Sequence, residues 1–270
     1  MTDNKTDAAE STLQKSKIHE EWVDNYRTPE NEKFYAMAFD YIAAQFAAPR
    51  GATVLDAGCG SCAKSKNLVD RGFQVVGSDL SESALALARE SLQGTRYADT
   101  IRLEQQNLLK LTFADGNFHY AVCWGVLMHV PEVDKAISEL SRIMAPGGRL
   151  AISEGNKDSV QSRLLRLLKR LFKLGHSEVV FTPAGVENWE DTEDGRLMTR
   201  QADMRWLTRE FEKHGMVLES RVAGQFSELY WLVPTRLLKR LIHAFNTFWF
   251  RFVRAPGPAF GNILVFRKRA

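Results

Sequence analysis

The chain has 270 residues, 44% of them hydrophobic and 26% charged, a balance that excludes fibrous and disordered classes and suits one large globular domain or two small ones. Three cysteines, Cys59, Cys62 and Cys123, are too few for a disulfide framework, and no apolar leader is read at the start, so a reducing, cytoplasmic setting is expected. The net charge of +3 hides two basic stretches, residues 157–174 with six Lys/Arg against one Asp and residues 236–254 with five Lys/Arg and no acid, on an acidic remainder, which is not the pattern of a uniformly basic nucleic-acid binder.

In chain order, residues 1–15 are small and polar and predict a flexible tail. Apolar and aromatic residues recur from Ile18 to Phe46, interrupted by Pro29, and predict two helices that form a cap over residues 16–48. From residue 49 to 156 the pattern changes to short β-prone runs separated by helical ones. The runs are ATVLDAG, FQVVGSD, IRLEQQN, HYAVCW and RLAISEG. Five such runs with helical crossovers predict a doubly wound, mostly parallel sheet with helices on both faces.

Residues 157–215 read as an insertion: a basic helix from Ser159 to Leu174, a polar stretch over residues 175–201 too long for an ordinary connection and so expected to be a functional loop, and a helix ending at Gly215. Residues 216–270 read as a strand, MVLESRVAG, a second basic amphipathic helix and a last strand from Asn262. No repeat or linker divides the chain, so all of it is read as one domain.

The strongest local signal is VLDAGCGSC, Val54 to Cys62. It predicts a strand ending in Asp56, a tight turn containing Gly58 and Gly60, and a helix start with free N–H groups. A lone GxG turn also occurs in dinucleotide enzymes. Asp79 closes the next strand about 20 residues on, where a carboxylate can accept both hydroxyls of a ribose; capping the helix that starts at Ser81 is the bland alternative. The third glycine of GxGxxG is missing, with Ala63 near its place, which disfavours a nicotinamide cofactor. Cys59 and Cys62 form a single CxxC without a second pair and are read as small packing residues, with no metal expected.

These motifs resemble those of the class I methyltransferases, in their small-molecule branch. VLDAGCGSC is similar to that family's first motif, VVGSDLSESAL to its second, LEQQNLLKLTFADGNFHYAVCWGVLMHV to its third and fourth, and SELSRIMAPGGRLAISE to the segment after them. The resemblance spans Thr53 to Glu154. It implies S-adenosylmethionine as cofactor, a seven-stranded sheet with an antiparallel last strand, and transfer of a methyl group to a small or lipid-like acceptor on oxygen, nitrogen or carbon. A module that binds the cofactor without turnover, as a sensor or partner subunit, is the alternative.

Carried over residue by residue, the resemblance places Asp56, Gly58 and Gly60 at the methionine part of the cofactor, Asp79 at the ribose, and Leu80 against adenine. Asn107 stands where the family usually has aspartate, and its carbonyl oxygen can still accept from the adenine amino group; Leu108 follows it. Trp124 lies where the main chain passes the cofactor. Tyr26 and Arg27, in an aromatic-rich segment with Trp22, Phe34 and Tyr35, are candidates to close over it. Phe118-His119 replaces the family's usual Phe-Asp, a structural change.

Methyl transfer is a displacement at carbon, so positioning can do much of the work, with a base needed only when the acceptor carries a proton. His129, just past the fourth strand on the rim where parallel sheets bind ligands, is the one candidate base, although a pocket-wall role suits it as well. Glu154, Asn156, His176, Arg200, Glu228 and Tyr230 are candidate acceptor contacts.

The two basic helices carry apolar stripes with cationic flanks. Neither is an uninterrupted apolar span. The pattern suits contact with an anionic membrane surface, a lid, or a face for an oligomeric partner, with nucleic acid disfavoured. The localisation expected is therefore cytoplasmic, peripheral at the inner face of a membrane if the helices bind lipid.

Overall fold

The computed structural model describes residues 11–15, 28–172, 178–192 and 195–270. Helix α1 (Pro29–Phe46) starts at Thr28, whose hydroxyl accepts from the Asn31 amide at 3.3 Å, with Pro29 in the first turn, where its missing N–H costs nothing. Phe34, Ala38, Ile42 and Phe46, with Tyr35 and Phe39, recur at helical spacing and are buried, which turns one stripe of the helix onto the sheet. The other half of the expected helical pair lies outside the described residues.

The core alternates strand and helix: β1 (Thr53–Ala57), α2 (Ser65–Val69), β2 (Gln74–Asp79), α3 (Glu82–Leu92), β3 (Ile101–Gln105), β4 (Phe118–Trp124), α4 (Val133–Arg142) and β5 (Met144–Gly155). After helix α5 (Val160–Phe172) come β6 (Glu178–Thr182), β7 (Gly185–Thr192) and β8 (Gly195–Ala202). Then follow α6 (Met204–Lys213), β9 (Met216–Ala223), α7 (Arg236–Phe248) and β10 (Gly261–Lys268). The main sheet has seven strands in the order β3-β2-β1-β4-β5-β10-β9. Strands β1 to β5 pair in parallel, and β10 runs antiparallel to both β5 and β9. This is the doubly wound sheet with an antiparallel last strand expected from the sequence.

Adjacent residues on each strand serve opposite faces. Val54, Val75, Val122, Ala151, Ile263 and Val265 pack under α1, whereas Leu55, Val76, Ala121, Ile152, Leu264 and Phe266 pack with α4 and α6. Burial on both faces is why these strands read as near-continuous apolar runs. The strand order reverses between β1 and β4, and the crevice at their carboxyl ends is where such sheets take ligands.

Three expectations change. The polar stretch read as a loop is instead a second, three-stranded antiparallel sheet, β6-β7-β8. The APGG turn before the fifth strand lies inside β5, where the β4 pairing jumps from Phe118↔Met144 to Tyr120↔Arg149 and Gly147 takes φ +77°. Residues 11–15, at the end of the expected tail, pack on the domain: Thr12 is buried, and the Gln14 carbonyl accepts from the Ser83 hydroxyl at 2.8 Å.

Candidate functional site

Above the switch point lies a cavity of about 380 Å³, a size that suits a small ligand or cofactor. Its floor is the turn after β1. Gly58 and Cys59 donate their amides to the Ser78 carbonyl at 2.7 and 2.9 Å, and Gly58 takes φ +80°. Asp56 does not line the cavity. It lies buried beneath the turn, accepting from the Ser65 hydroxyl at 2.6 Å, and burial pushes its carboxyl up to about 6 against the pull of that bond. Its assignment as a cofactor contact is therefore corrected: the carboxylate anchors the start of α2 under the cradle.

Asp79 lines the cavity at the end of β2. Its Oδ2 accepts from the Gly60 amide at 2.8 Å and its Oδ1 from the Ser81 amide at 2.9 Å. Ser81 itself caps α3 by accepting from Ala84 at 3.2 Å, so the capping alternative belongs to Ser81 and not to Asp79. A carboxylate offers about four acceptor sites, and two are committed here to fixing its orientation. Leu80, Asn107 and Leu108 line the cavity beside it. The Asn107 carbonyl oxygen accepts from the Leu109 amide at 2.8 Å, which orients the side-chain amide.

Trp124 also lines the cavity, held between Phe39, stacked at 5.2 Å between centroids, and Tyr35, edge-on at 5.8 Å. Gly58, Gly60, Asp79, Leu80, Asn107, Leu108 and Trp124 thus come together around one cavity. Tyr26, Arg27 and His176 lie outside the described residues.

The acceptor candidates divide. His129 and Glu154 reach the cavity, as does Glu228. The His129 Nδ1 lies 2.9 Å from the Met198 carbonyl. A carbonyl can only accept, so Nδ1 carries the proton and Nε2 is the basic nitrogen. Glu154 is buried at the end of β5 and accepts from the Leu127 amide at 3.0 Å through Oε1, while its buried Oε2 has no hydrogen-bond partner among the described residues. Burial pushes its carboxyl up to about 8, opposed by Arg200, so it is largely protonated at neutral pH and can donate.

Asn156, Arg200 and Tyr230 do not line the cavity, and their polar groups are taken up by structural partners, which corrects their reading as acceptor contacts. Asn156 donates to the carbonyls of Gly257 and Ala259 at 2.9 and 3.3 Å and accepts from the Asp158 amide. The Tyr230 hydroxyl donates to Gln225 at 3.2 Å. Arg200, 2% exposed, pairs with Glu187 across the β7–β8 ladder and donates to the carbonyls of Leu127, Val130 and Pro131.

Sequence reasoning missed Lys64. It lines the cavity with Glu32 and Glu228, and its ammonium lies 5.2 Å from the Tyr35 ring centroid. Burial lowers its pKa, opposed by Asp56, Glu32 and Glu228, and burial pushes Glu228 up to about 7 against Lys64. The only sequence signal was a lysine four residues after Gly60; of its acidic neighbours only Asp56 is near in the chain, while Glu32 and Glu228 lie far away.

The sequence pattern described as "Methyltransferase domain" matches residues 55–152, the segment that forms the floor and one wall of this cavity. This is the class I S-adenosylmethionine-dependent methyltransferase fold. Its cofactor is S-adenosylmethionine, and the residues present fit it: a fixed carboxylate for the ribose, apolar Leu80 and Leu108 for adenine, a glycine turn for close main-chain approach, and aromatic faces suited to a sulfonium cation.

Among known proteins, the chain is 38% identical over 102 residues to a demethylmenaquinone methyltransferase of Desulfitobacterium hafniense, covering 36% of this chain and 40% of that one. It is 28% identical over 155 residues to a ubiquinone biosynthesis O-methyltransferase of Alkalilimnicola ehrlichii, covering 57% and 60%. The chain thus spans about half the length of the curated relatives it matches. A solved geranyl diphosphate methyltransferase superposes with TM-score 0.57 at 18% identity, covering 87% of this chain and 85% of that one. At that identity the likeness shows the fold alone.

Proposed function

We propose that the protein transfers a methyl group from S-adenosylmethionine to a small, lipid-like acceptor. The observation that carries this reading is the single cavity in which the fixed Asp79 carboxylate and the glycine turn meet a wall of apolar and aromatic side chains, including Leu109, Val126, Met128 and Phe260. The named activities of the quinone-methylating relatives agree with an apolar acceptor.

When bound, S-adenosylmethionine supplies a methyl carried on sulfur, which leaves with the electron pair of the C–S bond as the acceptor's lone pair attacks. The chain's own contribution is positional. Asp79 and the Gly58–Gly60 turn fix the cofactor end, and Trp124 with Tyr35 excludes water from the reaction line. Where the acceptor atom carries a proton, His129 Nε2 is placed to take it, in the tautomer that the Met198 carbonyl fixes.

The test is methyl-labelled S-adenosylmethionine incubated with the protein and a lysate separated into lipid and aqueous fractions, read by mass spectrometry. A labelled product in the lipid fraction is expected. A labelled aqueous product would replace the acceptor class. With cofactor binding verified, no acceptor-dependent product in either fraction would leave a binding module that does not turn over.

A further inference from the structure

The two basic helices leave their apolar stripes in the open. On α5, Val160, Leu164, Leu167, Leu171 and Phe172 are exposed, and on α7 and the turn after it Leu237, Leu238, Leu241, Phe245, Phe248 and Phe252 are exposed, Phe252 by 69%. Single exposed leucines are ordinary, but stripes of this length are not. The flanking side chains have one sign: Arg163, Lys169 and Arg170 on α5, and Arg236, Lys239, Arg240 and Arg251 on α7 and its turn, all exposed, with no Asp or Glu within either segment.

Both helices are tied by their buried polar sides to one short segment. Gln161 of α5 accepts from the Ser227 hydroxyl at 2.9 Å and the Glu228 amide at 2.7 Å. Asn246 of α7 accepts from the Ser227 amide at 3.0 Å and donates to its carbonyl at 2.8 Å. The residues on either side of this junction, Gln225 and Glu228, line the cavity. The outward stripes and the cavity wall are therefore held by the same four side-chain bonds.

We propose that α5 and α7 form a docking surface for an anionic membrane, lying in the plane of the interface and holding the cavity wall at Gln225–Glu228 next to the lipid. Charge decides the occupant. A second copy of this chain would bring cationic flanks against cationic flanks, whereas anionic headgroups neutralise them while the leucine and phenylalanine stripes enter the acyl boundary. Among the described residues no helix is long and apolar enough to cross a membrane, so the contact is peripheral. The inference rests on the lipid-like acceptor proposed above for its purpose, but the surface itself is read without turnover.

The experiment is co-sedimentation of the full chain with vesicles of phosphatidylcholine, alone or with about one third phosphatidylglycerol, at low and high salt. Binding to the anionic vesicles alone is expected, falling at high salt. The pair Leu241→Glu with Phe252→Glu, and separately Lys239→Glu with Arg240→Glu, should each weaken it at least about tenfold. All four residues are exposed, and calorimetric affinity for S-adenosylmethionine should not change, which separates loss of docking from loss of fold or cofactor site. Failure to sediment at low salt would overturn the proposal, as would equal binding by wild type and variants. A dimer in sedimentation equilibrium that Leu241→Glu with Phe252→Glu splits, without lipid binding, would assign the stripes to a second copy instead. None of these outcomes depends on methyl transfer, so the acceptor reading stands or falls separately.

Discussion

Arg200→Ala is expected to destabilise the protein by about 3–5 kcal/mol, the range for removing one partner of a buried ion pair. The residue is 2% exposed, and its guanidinium makes two contacts to Glu187 Oε1, at 2.8 and 3.2 Å, and three to main-chain carbonyls. Without it, Glu187 keeps only the Trp189 indole at 3.1 Å, on its other oxygen, and the carbonyls of Leu127, Val130 and Pro131 lose a buried donor. Those carbonyls belong to the turn that carries Met128 and His129 into the cavity, so cofactor affinity should fall along with stability. Arg200→Lys should recover little, because one ammonium cannot span five acceptor contacts. Urea unfolding of the variants measures this, and a loss below about 1 kcal/mol, the scale of an exposed pair, would mean that the second sheet does not brace the cavity.

Gly58→Ala should cost about 2–4 kcal/mol, from a left-handed backbone angle and overpacking together. A Cβ at this position would sit 2.4 Å from Val126 Cγ2 and 2.7 Å from its Cγ1, at φ +80°. Val126 lines the cavity, so relief of the clash pushes it toward the cofactor and binding should weaken as well. Adding Val126→Ala removes the clash but not the backbone strain, and part of the stability should return. Denaturant unfolding of the single and double variants reads both terms. A single variant as stable as wild type would show that the turn has more freedom than its packing suggests.

The parallel core was legible because burial on both faces leaves short continuous apolar runs, and because Gly58, Gly60 and Asp79 fall at spacings that a strand–turn–helix–strand unit imposes. The second sheet was not. Its strand β7 carries Glu187, Asn188, Glu190 and Asp191, so composition pointed to a loop, whereas Glu187 is buried against Arg200, Glu190 and Asp191 are exposed, and pairing along the ladder satisfies the backbone. Asn156, Arg200 and Tyr230 show a second limit. Residue type identified them as groups able to recognise a ligand, but the direction each side chain takes depends on its partners, which for Asn156 and Arg200 include distant main-chain carbonyls and for Tyr230 is the Gln225 side chain on the preceding loop. Asp56 differs again: it sits inside the first motif near the end of β1, yet the cavity is lined by the turn that it supports. Lys64 and Glu228 line the same cavity from distant parts of the chain, and no local pattern marks such a pair.

Titration of the wild type and Asp79→Ala with S-adenosylmethionine is the most direct test that this cavity is a methyl-donor site. Asp79 is held by the Gly60 and Ser81 amides and keeps acceptor capacity for the ribose hydroxyls. Hydrogen bonds to a charged group contribute about 1.5–3 kcal/mol each, so the predicted result is one-to-one binding by the wild type that weakens at least about tenfold in the variant, with circular dichroism unchanged. Equal affinity in the two proteins, or no binding by the folded wild type, would contradict the account.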